Sequence, residues 1–276
     1  MSESPGSLLK KNPRAVRPPL TRPSCRRQRG ERPTSGRSVT PGPRKAASIG
    51  YLRAIGAAIL ADVAHGGAPA RILDAGSGTG RNVVELDKLG CAVGIEVSAH
   101  AIALSARRGL TRLARVSIGQ FPFADGAFDG VTAFDVLCHS AVEDDRGTVR
   151  EFRRVLRPGG WLPLHLPAYA WLASRHDRAV QNVRRYAAGQ VRATLSGSGF
   201  AVERLTFANT LLFPLAALKR LADGARPADV RRSDLQTEFG LAGALFRRVL
   251  LLEARLLRHV DLPFGLTLVA LARKGK

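Results

Sequence analysis

Hydrophobic positions along most of the chain follow two alternating periods, which predict alternating strands and helices. Short apolar runs, RILDAG at 71–76 and CAVGIE at 91–96, are bounded by glycine or charged residues and predict buried strands. RNVVELDKLG at 81–90 and SAHAIALSARRG at 98–109 carry apolar residues at helical spacing and end on glycine. This alternation with short connections predicts a parallel sheet with helices on both faces.

The same alternation continues to about residue 169. The runs ARVSI at 114–118, FDGVTAFDVL at 128–137 and WLPLHLPA at 161–168 predict three more strands. GTVREFRRVLRPGG at 147–160 predicts a helix that stops at Pro158 and the glycines after it. This part of the chain therefore predicts a doubly wound α/β sheet.

The pattern changes after residue 169. RYAAGQVRATLSGSG at 185–199 predicts a helix, FAVERLTFAN at 200–209 a strand and FGLTLVALARK at 264–274 the last strand. Helix-like sequence at about 210–260 predicts a helical insertion that could cover a substrate. Within it, residues 240–260 combine an apolar face with an arginine face. Such a helix either packs on the sheet with a solvated basic face, or lies on a membrane surface or an apolar substrate.

Residues 1–46 differ in composition from the rest of the chain. They are rich in Pro, Ser, Gly and Arg and lack apolar periodicity, which predicts a disordered basic tail. Helical spacing begins at 47–64, so residues 47–276 are predicted to form the folded domain. The start of the chain lacks the apolar core of a secretory signal, and no apolar run is long enough to span a bilayer. A cytoplasmic location is therefore expected, with peripheral membrane contact as an open alternative.

The net charge of +21 has two interpretations. It suits binding to nucleic acid or to an anionic membrane surface. It also fits a general compositional bias, because arginine greatly outnumbers lysine and the charge is spread over several regions. We favour the bias. The three cysteines form no CxxC pair, so no metal site is predicted.

Three glycines at alternate positions, Gly76, Gly78 and Gly80, follow the first predicted strand. Glycines in the first βα turn of such a sheet let backbone N–H groups approach a ligand. The GxGxG spacing differs from the GxGxxG of dinucleotide sites, and the Lys-Ser/Thr of a phosphate-binding loop is absent. Glu96 ends the second strand, where a carboxylate can accept both hydroxyls of a ribose. An adenosine group with a short charged tail fits this pattern best.

Together, LDAGSGTGRN, GIEVS, FPFADGAFDGVTAFDVLCHS and EFRRVLRPGGWL resemble the class I S-adenosylmethionine-dependent methyltransferases, over roughly residues 50–272. The resemblance implies a Rossmann-like, mostly parallel seven-stranded sheet and S-adenosylmethionine as cofactor. It implies that the glycine loop faces the methionine part, that Glu96 holds the ribose and that the end of the third strand borders the adenine. The implied cofactor-binding residues are Asp74, Gly76, Ser77, Gly78, Gly80, Glu96, Val97, Ser117, Ile118 and Asp135.

A finer resemblance covers LPAYAWLASRHDRAVQNVRRYAAGQV at 166–191. A subgroup of the family has Pro-Ala, Trp, Ser-x-x-Asp and then Gly-His-x-Arg-Arg-Tyr here. This chain departs from that pattern at Gln181 and Asn182, where Gly-His is usual, so any catalytic role of that histidine is lost or taken by another group. The matching residues are Ser174, Asp177, Arg184, Arg185 and Tyr186.

A general base is needed only for a hydroxyl or uncharged acidic acceptor. The candidates are His139 and Asp177, followed by Asp135. His165 is interpreted equally as a core residue or a pocket wall. The adjacent Arg184 and Arg185, with Tyr186, either bind an anionic substrate or pin the loop by ion pairs to Asp177.

No Asn-Pro-Pro-Tyr or Asp-Pro-Pro-Tyr follows the fourth strand, which disfavours methylation of base amino groups in DNA. The expected acceptor is a small molecule, lipid or glycan. An RNA-directed methyltransferase that uses the basic tail, and a cofactor-binding protein without catalysis, stay open as alternatives.

Overall fold

Seven strands form one mixed sheet in the computed structural model, which describes residues 70–223, 248–250 and 252–276. The sheet order is β3-β2-β1-β4-β5-β7-β6. The strands are β1 (Ala70–Ala75), β2 (Gly90–Glu96), β3 (Leu113–Arg115), β4 (Phe128–Phe134), β5 (Leu156–Pro167), β6 (Phe200–Ala208) and β7 (Thr267–Lys274). The pairs among β1 to β5 are parallel, and β7 runs antiparallel between β5 and β6. The predicted α/β fold, a mostly parallel seven-stranded doubly wound sheet, is confirmed.

Helices connect the strands as the apolar spacing predicts. They are α1 (Arg81–Leu86), α2 (Ala99–Ala106), α3 (Asp145–Val155), α4 (Arg175–Ala179), α5 (Ala188–Gly197) and α6 (Phe213–Asp223), with a 3₁₀ turn at Ala170–Leu172. Ser98 caps α2 by accepting a hydrogen bond from the N–H of Ala101.

Several predicted boundaries are wrong. The strand expected over 128–137 ends at Phe134, and the helix expected over 81–90 ends at Leu86. The helix expected to reach Pro158 ends at Val155, because β5 begins at Leu156, which pairs with Phe128 of β4. The residue before a proline also favours extended backbone. The third strand is shorter than predicted and ends at Arg115, so Ser117 and Ile118 lie in the loop that follows it.

Apolar side chains cover both faces of the sheet. Leu162, Leu164 and Leu166 of β5 belong to the larger core cluster, whereas Trp161 packs in a second cluster on the opposite face. Gly130 of β4 makes room for the indole of Trp161, because a Cβ at this position would lie 2.2 Å from its ring. Burial on both faces leaves the ends of the strands as the places where polar side chains can gather.

The chain order reverses between β1 and β4, which are neighbours in the sheet. In such sheets, ligands bind outside the carboxyl ends of the strands at this switch point. The carboxyl ends of β1, β2, β4, β5 and β6 share one edge, and the antiparallel β7 begins there. We call this the carboxyl edge; it is where the candidate site is expected.

Several predictions concern residues outside the described ones. The basic tail at 1–46 and the helix at 47–64 lie there. Of the insertion predicted at about 210–260, α6 and residues 248–250 and 252–256 are helical as expected. No helix in the described ranges combines the length and the apolar character needed to cross a bilayer. Within the same ranges, no cluster of His, Cys, Asp and Glu could hold a metal ion.

Candidate functional site

The glycine loop turns sharply at the carboxyl end of β1. The N–H groups of Gly76 and Ser77 both donate to the carbonyl of Ile95 in β2, each over 2.9 Å. Gly76 has a φ of 76°, and a Cβ there would lie 2.5 Å from Cγ2 of Val136, just beyond β4. The loop therefore needs glycine both for its backbone conformation and for its close approach to the next strand end.

Glu96 lies beside this loop at the end of β2. Its Oε2 accepts a hydrogen bond from the N–H of Gly78, and its Oε1 accepts one from the N–H of Ser98, both over 2.9 Å. The side chain is half-buried and Val97 beside it is exposed. Each carboxylate oxygen has a further lone pair, so the oriented carboxylate can still accept from the two hydroxyls of a ribose.

Asp74 is the most deeply buried charged group of the site. It is 1% exposed, and its Oδ1 accepts a hydrogen bond from Oγ1 of Thr132 over 2.7 Å. Burial raises the pKa of this carboxyl to about 7, although the Thr132 hydrogen bond lowers it; the charge of Glu96 raises it further.

Two polar atoms next to the glycine loop are buried without a hydrogen-bond partner, Oδ2 of Asp74 and Oγ of Ser77. Buried polar atoms are nearly always paired in proteins, so these two indicate a group that binds here. A carboxylate oxygen accepts from an ammonium group, and a hydroxyl can donate to a carboxylate. The residues present therefore fit the amino-acid part of an adenosine-linked, positively charged cofactor.

The loop after β3 lies next to Glu96, because the N–H of Val116 donates to the carbonyl of Glu96 over 3.1 Å. Ser117 is exposed, and Ile118 is half-buried against the larger core cluster. Both residues predicted to border the adenine therefore follow a residue bonded to Glu96, and they lie in a loop rather than in a strand.

Asp135 and His165 form a pair that the sequence analysis missed. Asp135 directly follows β4 with a φ of 55°, and its N–H donates to the carbonyl of His165 over 2.8 Å. Its Oδ1 lies 3.1 Å from Nδ1 of His165. The only available signal was that both residues lie near the carboxyl ends of strands that could be neighbours.

His139 lies at the same edge but is held differently. Its Nδ1 accepts a hydrogen bond from the N–H of Ala141 over 3.1 Å, so the neutral ring carries its proton on Nε2. The only basic nitrogen of the neutral ring is thus occupied by a backbone donor. This geometry does not favour the predicted role of His139 as a general base.

Asp177, the second predicted base, is buried in a network of hydrogen bonds. Arg185 donates to its two oxygens over 2.9 and 3.0 Å, and Ser174 donates to Oδ2 through its N–H and its hydroxyl. Every hydrogen bond holds the loop after β5 in place. The ion pair to Arg185 confirms the pinning interpretation for that residue and does not favour a catalytic role for Asp177.

Arg184 pins another part of the chain. It pairs with Asp145 at the start of α3 and donates to the carbonyl of Leu137 over 3.0 Å. The hydroxyl of Tyr186 lies within hydrogen-bond distance of the same two partners, 2.9 Å from the carbonyl of Leu137 and 2.7 Å from Asp145. The segment after α4 is thereby fixed against the residues that follow β4, which include Asp135 and Leu137.

The departure from the subgroup pattern has a visible effect on the structure. Gln181 has a φ of 58°, in the region that favours the glycine of the pattern. Oδ1 of Asn182 accepts a hydrogen bond from the thiol of Cys138 over 3.3 Å. Asn182 therefore has a packing role here, where the subgroup has histidine.

Known proteins match the part of the chain that builds this site. A sequence family described as "Methyltransferase domain" matches residues 73–164. An O-methyltransferase, rstn1, from Aspergillus nomiae is 35% identical over 103 residues, which are 34% of this chain and 45% of that protein. A demethylmenaquinone methyltransferase from Mycolicibacterium paratuberculosis is 38% identical over 93 residues, 33% of this chain and 39% of that protein. The chain thus spans less than half the length of these curated relatives.

Solved structures agree on the fold. An S-adenosylmethionine-dependent methyltransferase from Mesorhizobium loti superimposes with a TM-score of 0.50 at 19% identity, over 75% of this chain and 92% of that one. The family match lies on the strands and loops that carry Asp74, the glycine loop, Glu96 and Asp135. Residues 73–164 thus match a methyltransferase domain, and with the shared fold they support a class I S-adenosylmethionine-dependent methyltransferase, the class whose cofactor is S-adenosylmethionine.

Proposed function

We propose that the protein transfers a methyl group from S-adenosylmethionine to a small-molecule acceptor. One observation carries the proposal: two carboxylates flank the glycine loop, Glu96 with both oxygens oriented by backbone N–H groups and Asp74 with a buried oxygen that lacks a partner. One carboxylate for each of the two polar ends of this cofactor, the ribose and the methionine, supports the proposal.

Each polar group of the site has a role in this proposal. Glu96 accepts from the ribose hydroxyls, Asp74 accepts from the ammonium group and Ser77 donates to the carboxylate. Val97, Ser117 and Ile118 border the adenine, and Asp135 closes the pocket towards the acceptor. The bound cofactor supplies a methyl group on a sulfonium centre, a strong electrophile. The protein contributes mainly by positioning the acceptor, which lowers the barrier by several kcal/mol.

The names of the relatives support a small-molecule acceptor, because they include a fungal O-methyltransferase and a demethylmenaquinone methyltransferase. Lipids and glycans stay within the proposed range. In this proposal residues 47–276 form the enzyme domain, the insertion at about 210–260 covers the substrate, and the reaction takes place in the cytoplasm or at a membrane surface. RNA methylation would instead require the basic tail.

A calorimetric titration of the full chain with S-adenosylmethionine and S-adenosylhomocysteine tests the cofactor. Micromolar affinity for both is expected. Incubation with the labelled methyl donor and fractions of small metabolites, lipids, glycans and RNA then tests the acceptor. Label that enters the RNA fraction, and is lost when residues 1–46 are deleted, would replace this proposal with the RNA-directed one. Cofactor binding without transfer to any fraction would favour the non-catalytic alternative.

A further inference from the structure

Exposed apolar side chains gather beyond the carboxyl ends of β5 and β6. In the part of the chain that the structure describes, twelve large apolar side chains are exposed, and eight of them lie at 171, 211–218 and 252–264. These segments belong to the connections after β5, after β6 and before β7, each of which meets the carboxyl edge. A concentration of this kind indicates an interaction surface, because exposed apolar side chains are otherwise scattered singly. Six of the eight form what we call the apolar patch: Trp171, Leu211, Leu215, Leu252, Leu256 and Phe264.

Ring contacts and a hydrogen bond join the three segments. The centroid of the Phe213 ring lies 6.1 Å from that of Trp171 and 5.4 Å from that of Phe264. Oε2 of Glu253 accepts a hydrogen bond from the N–H of Leu211 over 3.0 Å, which ties its helical turn to the chain just before α6. The patch is therefore held together by contacts between segments that are distant in sequence.

The helical turn at 252–256 is oriented the opposite way from that of an ordinary surface helix. Glu253 is only 3% exposed, whereas the residue beside it, Leu252, is 60% exposed. Leu256 lies one helical turn after Leu252, and it faces solvent on the same side. The hydrogen bond from Leu211 to the buried carboxylate fixes this orientation, so the structure holds the two leucines outwards.

Cationic side chains accompany the patch. Arg248, Arg255 and Arg258 are exposed on the stretch of chain that carries the two leucines. Within the described ranges, no acidic side chain pairs with any of these three arginines, and the exposed Asp261 pairs with Arg204 instead. A guanidinium group forms paired hydrogen bonds to phosphate. Such arginines beside an apolar patch suit a partner that is both apolar and anionic.

We propose that the apolar patch and these three arginines dock the protein on an anionic lipid bilayer. Leucine side chains on such a surface enter the boundary between headgroups and acyl chains, tryptophan rings lie at the level of the headgroups, and arginines contact the lipid phosphates. An RNA would pair with the arginines, but it would leave the leucines in water. The exposed leucines therefore favour the bilayer over a nucleic acid.

Docking through this patch has a consequence for the reaction. The candidate site and the patch share the carboxyl edge, since Trp171 follows β5 and Asp135 follows the neighbouring β4. A docked protein therefore turns this edge towards the bilayer, into which an apolar acceptor partitions. This consequence rests on the proposed methyl transfer, whereas the docking itself does not depend on it.

Vesicle binding of the full chain tests the docking. The probes are vesicles of phosphatidylcholine and vesicles of equal parts phosphatidylcholine and phosphatidylglycerol, compared by sedimentation. We expect binding to the anionic vesicles to be at least about tenfold tighter, and we expect it to weaken as salt is raised. Because the basic tail at 1–46 also favours anionic vesicles, sedimentation by itself does not identify the docking surface.

Tryptophan emission identifies the surface. The chain has two tryptophans, of which Trp161 is 4% exposed and Trp171 is 55% exposed. Transfer of an exposed indole from water to an apolar environment shifts its emission to shorter wavelength. We expect this shift when anionic vesicles are added to the wild type. Trp171→Phe should lack the shift and still bind, because phenylalanine keeps the apolar contact.

A pair of variants measures the apolar contribution. Leu252→Gln should weaken binding to the anionic vesicles about fivefold, because an exposed leucine would no longer leave water on docking. Val84→Gln is the matched control, since Val84 is an exposed apolar residue of α1, outside the patch. It should bind the vesicles as the wild type does. Both positions are exposed, so thermal unfolding should be unchanged in both variants.

A second pair of variants measures the contribution of charge. Arg255→Gln/Arg258→Gln should weaken binding to the anionic vesicles at least about tenfold, because each arginine near the surface is attracted to the anionic headgroups. Arg150→Gln/Arg192→Gln removes the same charge from exposed positions of α3 and α5. This control should have a much smaller effect, and an equal loss in both double variants would contradict a specific docking surface.

The outcomes separate this inference from the proposed function. A shift of Trp171 emission together with weaker binding of the patch variants supports the docking. Vesicle binding without the shift, or equal affinities of Leu252→Gln and wild type, would assign membrane contact to the basic tail and overturn the proposal. Retention on RNA with no binding to either kind of vesicle would replace it with a nucleic-acid surface. Each of these failures leaves the methyltransferase proposal standing, because binding of S-adenosylhomocysteine is measured without vesicles.

Discussion

The N–H of Gly78 donates to Oε2 of Glu96 over 2.9 Å, which joins the glycine loop to the carboxylate at the end of the neighbouring strand. The two residues lie 18 positions apart in sequence and act as one unit of the site. Since the other carboxylate oxygen accepts from the N–H of Ser98, both oxygens are oriented before any ligand arrives. A preorganised carboxylate binds its partner with less ordering cost.

Glu96→Ala should therefore weaken the binding of S-adenosylhomocysteine at least about tenfold, or ~1.4 kcal/mol. The reason is that the variant loses the acceptor for the ribose hydroxyls and also the hydrogen bond that holds the glycine loop at Gly78. Calorimetry of the variant and wild type measures the difference. Glu203→Ala is the matched control, because Glu203 pairs with Arg273 on the outer strands of the sheet. An equal loss in both variants would contradict a ribose contact at Glu96.

Asp74 should make cofactor affinity depend on pH. Burial raises the pKa of its carboxyl to about 7 in the free protein, and a cationic group binds the ionised form. Affinity should be constant well above pH 7 and should fall as pH decreases below it, approaching tenfold per pH unit, because the carboxyl must then lose its proton on binding.

Two variants test the source of this pH dependence by calorimetric titrations between pH 5.5 and 8.5. Asp74→Asn should bind S-adenosylmethionine weakly with a flat profile over this range. Thr132→Val removes the hydrogen bond that favours the carboxylate, so the fall in affinity should begin at a higher pH. If Asp74→Asn left the pH dependence of the affinity unchanged, another group would be the one that titrates.

Gly78 and Gly109 offer a matched pair of substitutions. Both have positive φ, 53° and 79°, and a Cβ at either position meets no atom within 4 Å. Replacement by alanine should cost each variant a similar free energy of unfolding, about 1 kcal/mol, because of the left-handed backbone. Only Gly78→Ala should also lower cofactor affinity, since its methyl group would enter the loop that faces the ligand. Thermal unfolding and calorimetry of both variants separate the two effects; equal affinities would refute the assignment of the loop.

Asp177 and Arg185 should matter for stability rather than for chemistry. Their side chains are only 8% and 9% exposed, so Asp177→Asn leaves a buried guanidinium without its counter-charge. The expected loss is about 3–5 kcal/mol of unfolding free energy. Asp261→Asn breaks the exposed pair with Arg204 and should cost less than about 1 kcal/mol. Denaturant unfolding measures both, and a stable but inactive Asp177→Asn protein would restore Asp177 as a catalytic candidate.

The residues at the strand ends could be predicted from the sequence, but the lengths of the strands could not. The glycines at 76, 78 and 80, the acid at 96 and the aspartate at 135 each follow an apolar run, and their places at the carboxyl edge follow from local patterning. Strand length was harder to predict: β3 ends at Arg115 because its pairing with β2 stops there, and no local signal marks that limit.

The roles of the histidines could not be predicted from the sequence. His139 and Asp177 looked suitable as bases because they lie near the site in sequence order, whereas His165 looked like one polar residue in an apolar strand. Only the register of β4 against β5 brings His165 to Asp135, and only the backbone of Ala141 sets the tautomer of His139.

The sequence by itself determined the α/β fold, the glycine loop and the acid that ends the second strand, because each is marked by a pattern of residues within a few positions of one another. The tertiary structure decided the partner of each titratable side chain and brought Tyr169, Phe207 and Phe264 together from distant segments. The physical reason is that backbone conformation responds to neighbours in sequence, whereas hydrogen bonds and ring contacts depend on which strands lie side by side.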